Sequence, residues 1–212
     1  MNTYTHYQSV RNKIWLAALL LAPLFLSLSQ FFWLHGVVTK MAGVLMVFSF
    51  FFWIFAFQAL FHPLKTLMPL YAAFGFIIAV FSCLGGNNFG VDGIYGSQSG
   101  VDSLEEKTVL HQAIGNATLA YLFIPGALFP LSLLILGIYL VRKKILPVWI
   151  GILLCIGAVG FPLSRVPRIE LLAHADNLIL LIGHLSAAVY LYVKGLLKTD
   201  DQAINYTSSG NP

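Results

Sequence analysis

The chain is dominated by six long apolar stretches. Each has close to 20 residues or more, the length that an α-helix needs to cross the hydrocarbon core of a bilayer at a rise of about 1.5 Å per residue. Of the 212 residues, 58% are hydrophobic and 9% are charged, whereas soluble domains have about 25% charged residues. The sequence therefore predicts an all-α, polytopic transmembrane bundle of six helices, which forms a single domain over residues 1–212.

The apolar stretches also give approximate boundaries for the spans. We predict spans at 14–34, 41–61, 66–84, 109–140, 147–164 and 171–193. The first stretch continues beyond a possible signal-peptide cleavage site at Ser27–Ser29, so we expect an uncleaved first helix. The fourth is long and contains Pro125 and Pro130, and each proline removes a backbone donor. We therefore expect this helix to be kinked.

The basic residues are divided unevenly between the two sides of the membrane. Eight lie on the side of the termini: Arg11, Lys13, Lys65, Arg142, Lys143, Lys144, Lys194 and Lys198. Four lie on the other side: Lys40, Lys107, Arg165 and Arg168. Because basic residues accumulate on the cytoplasmic side, both termini, with the tail 194–212, are predicted to be cytoplasmic. The basic residues are scattered and form no basic patch, so no nucleic-acid partner is predicted, whereas the apolar stretches predict a lipid bilayer as partner.

The segment 85–107 contains six glycines and a repeated Gly-Val-Asp triplet. We predict that it forms an outer loop, because glycine-rich segments favour turns, and loops of this length commonly cover a site. Asp and Asn residues among glycines are also found in calcium-binding loops, but the EF-hand spacing is absent. A cap over the helix ends is the preferred interpretation.

The sixth predicted span carries polar residues on one face. Glu170, His174, Asn177 and His184 fall on a stripe about 80° wide at 100° per residue. Ionisable groups inside a membrane are costly and normally face the bundle interior, so this stripe is expected to face inward. Asp176 lies off the stripe and is expected to face the outer headgroups.

The fourth predicted span offers a matching face. His111, Gly115 and Thr118 share one side of it, and Asn116 belongs to a second polar face. We predict an outer-side polar pocket between the fourth and sixth spans, which binds a small molecule or lipid. The candidate pocket residues are His111, Asn116, Thr118, Glu170, His174, Asn177 and His184.

Several other functions fit the same residues. A metal could be held by His111, His174 and Glu170, and one haem could lie between the two histidines. A hydrolase could use Ser82 and Asp176, although no motif spacing supports it. The stripe could also carry protons in a small transporter, which with six helices would be expected to dimerise, or it could act only as internal hydrogen-bonding glue. The sequence thus leaves enzyme activity, cofactor and homo-oligomer formation open.

The segment 142–151, Arg-Lys-Lys-Ile-Leu-Pro-Val-Trp-Ile-Gly, resembles a stretch found in uncharacterised bacterial membrane protein families. There a basic turn and Pro-x-Trp-x-Gly begin the next helix, as expected for a proline at a first helical position and a tryptophan at the interface. The resemblance implies a bacterial inner membrane location and no particular activity.

Overall fold

The computed structural model describes residues 3–34, 36–101 and 103–197, without the side chains at 3–5, 114, 117–119 and 122. Its helices are α1 (Thr3–Gln30), α2 (Lys40–Phe61), α3 (Pro69–Gln98), α4 (Leu104–Ile114), α5 (Asn116–Arg142), α6 (Val148–Arg165) and α7 (Glu170–Val193). A short antiparallel hairpin of β1 (Trp33–Leu34) and β2 (Val37–Val38) joins α1 to α2. Six helices are long and apolar enough to span a membrane, so the predicted all-α transmembrane bundle is confirmed.

The six long helices form a closed ring in chain order. Each packs against its neighbour along the chain, with α3 packing on α5, and α7 packs back on α1. Aromatic side chains from α2 and α5 meet in the core, where Trp53 and Phe129 have ring centroids 4.9 Å apart. The β-hairpin, α4 and the turn between α6 and α7 all follow odd-numbered crossings of the bundle and lie at one end, which we name the hairpin end. The opposite end, where α1 begins and α7 ends, is the terminal end.

The prediction of an outer loop over 85–107 is wrong. Helix α3 continues through the glycine-rich segment to Gln98, and only a short turn separates it from α4. The glycines serve close packing, because a Cβ at Gly86 would collide with the Phe50 ring, and one at Gly90 would lie 2.8 Å from the Gly43 carbonyl oxygen. Small residues at such spacings let two membrane helices approach closely.

The predicted fourth span is two helices. Ser103 and Glu106 form a reciprocal capping box that starts α4, which satisfies two of the unpaired amides at the helix start. Gly115, with φ of 88°, ends α4, and α5 begins at Asn116. Pro125 and Pro130 lie inside α5, which continues past both as one helix.

Candidate functional site

A cavity of about 450 Å³ opens at the hairpin end of the bundle. Its wall is built from the β-hairpin, the adjoining halves of α2, α3, α5 and α6, the turn between α6 and α7, and α4. Six aromatic side chains and five titratable ones share this wall. The aromatic ones are Trp33, Phe50, Phe89, Phe123, Phe129 and Phe161, and the titratable ones are Asp92, Lys107, His111, Arg165 and Arg168.

The deep part of the cavity is an aromatic floor. Phe129 lies between Phe50 and Phe161, with ring centroids 5.1 and 5.2 Å away. Such separations are typical of favourable aromatic pairs. Beneath Phe129 lies Trp53, which in turn meets His184 edge-on at 4.6 Å between ring centroids. The floor therefore separates the cavity from the middle of the bundle.

One charged group of the wall joins α3 to α4. Lys107 is only 7% exposed, and its Nζ lies 2.6 Å from Asp92 Oδ2 and donates to the Asp92 carbonyl oxygen at 3.2 Å. His111 Nε2 lies 3.4 Å from the same carboxylate without hydrogen-bonding geometry. This ion pair holds α4 over the cavity and compensates the charge of Lys107.

The second charged group joins α6 to α7. Arg165 donates through Nη1 to Asp176 Oδ2 at 3.0 Å and through Nη2 to the side-chain oxygen of Asn177. Its guanidinium also lies 4.0 Å above the centre of the Phe161 ring, a distance that gives a cation–π attraction. Asn177 in turn donates to the Leu26 carbonyl oxygen of α1 at 3.5 Å. Arg165 thus lines the cavity while its charge is neutralised from behind the wall.

Arg168 differs from the other two cations. Among the described residues it has no ion pair, and partial burial lowers the pKa of its guanidinium. Its backbone has a φ of 57°, a left-handed conformation that is uncommon for residues other than glycine. The side chain runs past Gly36 of the hairpin turn, where an added Cβ would lie 3.3 Å from Arg168 Cδ.

Of the six predicted pocket residues whose side chains the structure describes, only His111 lines this cavity. Asn177 and His184 are buried as expected, at 2% and 0% exposure, but they serve helix contacts. The ring nitrogen Nδ1 of His184 donates to the Leu180 carbonyl oxygen at 2.7 Å, since a carbonyl can only accept. The deeper half of the stripe, Asn177 and His184, therefore makes contacts inside the bundle.

The half of the stripe nearer the hairpin end is more exposed. Glu170 is exposed, and His174 packs its ring on Phe31 at 4.6 Å between centroids. Asn116 is exposed at the start of α5, and the Thr118 side chain lies outside the described ones. Within the described residues, no α7 side chain lines the cavity.

Two further predictions differ from the structure. Asp176 does not face the headgroups but is 2% exposed and paired with Arg165, because α6 supplies a cation on that side of α7. The predicted metal set of His111, His174 and Glu170 is not assembled, since no group of three or more His, Cys, Asp or Glu residues in the described ranges could hold a metal ion.

Asp92 and Lys107 are site residues that the sequence interpretation missed. Both lie in the segment 85–107, whose composition predicts a loop. The capping signal Ser103-x-x-Glu106 could have placed Lys107 on a helix, and the glycine spacing of 86, 90 and 93 could have extended α3 to Asp92.

Most of the residues that form the bundle and its cavity lie in a range that matches a protein family. Neither the curated proteins nor the solved structures give a match. A family model described as a domain of unknown function, DUF4386, matches residues 38–195. This range includes the 142–151 segment and confirms the expected resemblance to an uncharacterised family. Because the match covers most of its length, the chain belongs to the DUF4386 family.

Proposed function

We propose that this membrane protein binds a small molecule or lipid with a hydrocarbon part in the cavity at the hairpin end. The observation that carries the proposal is the cavity itself, with an aromatic floor and a charged rim. Its volume of about 450 Å³ falls in the range of about 300–1,000 Å³ typical of small-molecule sites. Pockets of this kind are mostly apolar and have a few polar groups that orient the ligand.

The sequence predicts a pocket between the fourth and sixth spans, whereas the proposed ligand site lies among α2, α3, α5 and α6. Transport along the stripe, a metal site and a haem site are not proposed. The side chains that those functions would use make separate contacts: His111 with Asp92, His174 with Phe31, and His184 with Trp53.

We further propose that the hairpin end faces the outside of a bacterial inner membrane. The excess of basic residues at the terminal end supports this orientation, by the same rule that predicted cytoplasmic termini. A ligand would then enter from the outer leaflet or from the outer aqueous phase. The proposal holds equally for a monomer and a homo-oligomer.

Binding can be tested by fluorescence quenching of Trp33 in the cavity wall. The full chain would be placed in nanodiscs and titrated with a fatty alcohol brominated along its chain. The measurement uses a Trp149→Phe background. Trp149 is exposed at the terminal end, so probe dissolved in the bilayer would quench its fluorescence without binding in the cavity. We expect saturable quenching, which the further change Trp33→Phe greatly reduces.

A cavity-filling substitution supplies the matched comparison. Ala127 of α5 and Ala175 of α7 are both exposed near the hairpin end, but Ala127 lines the cavity and Ala175 lies outside its wall. We expect Ala127→Phe to abolish saturable quenching and Ala175→Phe to leave it unchanged. Linear, non-saturating quenching that is the same in both variants would refute ligand binding in this cavity.

A further inference from the structure

We infer that the ligand of this cavity is an anionic amphiphile, whose acidic headgroup is held by Arg168 and whose hydrocarbon chain lies on the aromatic floor. This inference rests on the proposed function and specifies its ligand class. It follows from the distribution of charge around the wall, from the position of Arg168 and from the depth of the aromatic residues.

The charges of the wall leave one cation over. Among the residues that the structure describes, Lys107, Arg165 and Arg168 face the cavity with a single carboxylate, Asp92. Asp92 pairs with Lys107, and Asp176, from behind the wall, pairs with Arg165. Of the other acids at this end of the described chain, Glu106 caps the start of α4, and Glu105 and Glu170 are exposed and form no ion pair with Arg168. Arg168 is thus the cation with unused capacity, and a partly buried guanidinium is stabilised by an anion.

The backbone supports a functional position for Arg168. Besides Arg168, Lys144 is the one other non-glycine residue in the described ranges with positive φ. Such a conformation costs free energy and persists where the surrounding structure enforces it, often at ligand sites. Here Gly36 leaves the space through which the Arg168 side chain passes. Gly36 of the hairpin and the strained backbone of Arg168 before α7 together hold the guanidinium at the cavity wall.

The polar and apolar parts of the cavity are separated along the bundle axis. Arg165 is the last residue of α6 and Arg168 follows it, whereas Phe161 lies one turn deeper. Phe50 and Phe129 form the floor with Phe161, and from the hairpin end they lie about three turns into α2 and about three and a half turns into α5. A chain that extends inward with its acidic group at the rim matches this arrangement. A uniformly polar ligand would leave the aromatic floor uncovered.

The test compares amphiphiles that differ only in the headgroup. A brominated fatty acid and the brominated alcohol of equal chain length would be titrated onto the chain in neutral nanodiscs, with Trp33 quenching as the readout. Since a hydrogen bond to a charged group contributes about 1.5–3 kcal/mol, we expect the fatty acid to bind about tenfold to a hundredfold more tightly. An unlabelled alkyl phosphate should displace it, and inorganic phosphate, which lacks the chain, should not.

Two arginine variants assign the headgroup to its residue. Arg168→Gln should remove most of the preference for the acid while alcohol binding persists, which also reports that the cavity is intact. Arg168→Lys should restore part of the preference. The matched control is Arg142→Gln, an exposed arginine at the terminal end, which should leave the preference unchanged.

The outcomes separate this inference from the proposed function. Equal binding of acid and alcohol, blocked in both cases by Ala127→Phe, would overturn the anionic ligand class and leave the binding function standing. A preference for the acid that survives Arg168→Gln would overturn the assignment to Arg168. Absence of saturable binding for both probes would overturn the proposed function as well. Displacement by inorganic phosphate would identify a free anion as the ligand and overturn the amphiphile.

Discussion

Arg165 at the end of α6 and Asp176 near the start of α7 form a buried ion pair, with 3.0 Å between Nη1 and Oδ2. Asp176 is 2% exposed, and Gly160 makes room for it, because a Cβ at that position would collide with the carboxylate. The adjacent Asn177 extends the contact to α1. The Arg165–Asp176 pair therefore joins α6 to α7, and Asn177 joins α7 to α1. Arg165 also forms part of the cavity wall.

We predict that Asp176→Ala strongly destabilises the bundle. Removing the carboxylate leaves the Arg165 guanidinium without a counter-charge in the described structure, and breaking a buried pair from one side costs about 3–5 kcal/mol. The free energy of unfolding, measured with detergent-solubilised protein, should fall by an amount of this order. The exposed carboxylate of Glu170 on the same helix is the control, and Glu170→Ala should change the free energy by less than about 0.5 kcal/mol.

The double variant Arg165→Leu/Asp176→Leu probes the same pair differently. Replacing both charges with apolar residues is often close to neutral, because neither charge is then left buried. We expect the double variant to be more stable than Asp176→Ala alone. If it is as unstable as the single variant, the loss comes from packing around α6 and α7 and not from the unpaired charge.

A second prediction concerns the contact of α3 with α2. Gly86→Leu should destabilise the protein by about 1–3 kcal/mol, the usual cost of overpacking a filled core, because even a Cβ there collides with Phe50. Ala73→Leu is the control, since Ala73 lies exposed on the same helix. If the midpoint of thermal unfolding is unchanged in Gly86→Leu, residue 86 lies in a loop, as the glycine-rich composition of the segment 85–107 suggests.

The error over 85–107 shows which part of the fold the sequence could predict. Long apolar stretches predicted the spanning helices, because burial in lipid depends on composition over a whole segment. The glycine-rich segment was misassigned because glycine has two uses: it favours turns in water, and it permits close helix contact in membranes. Only the spacing of Gly86, Gly90 and Gly93 distinguishes these uses.

The site was less predictable than the fold for a related reason. Inward-facing Asn177 and His184 could be recognised from the cost of burying polar groups, and both are buried. The pairs Lys107–Asp92 and Arg165–Asp176 instead join different helices, and the helical period of one segment does not report which helix lies beside it. Asp176 was therefore assigned to the wrong surroundings.

A third prediction addresses His184 in the core. His184→Ala should lower the free energy of unfolding by about 2–5 kcal/mol, the range for truncating large core side chains, because the ring packs on Trp53 beneath the cavity floor. His184→Phe keeps the ring contact and loses one hydrogen bond, worth about 0.5–1.5 kcal/mol. Differential scanning fluorimetry should rank wild type first, Phe next and Ala last. An Ala variant as stable as the Phe variant would contradict the packing role.

The last prediction tests the orientation of the bundle. Ser99→Cys, in the turn after α3, and Lys143→Cys, in the turn after α5, place exposed thiols at opposite ends of the bundle. Since basic residues accumulate on the cytoplasmic side, an impermeant maleimide added to bacterial spheroplasts should label Ser99→Cys at once. It should label Lys143→Cys only after permeabilisation. The wild-type protein is the control for its own Cys83 and Cys155, both of which lie within spanning helices. The reverse pattern would place the cavity on the cytoplasmic side and would require its ligand to come from there.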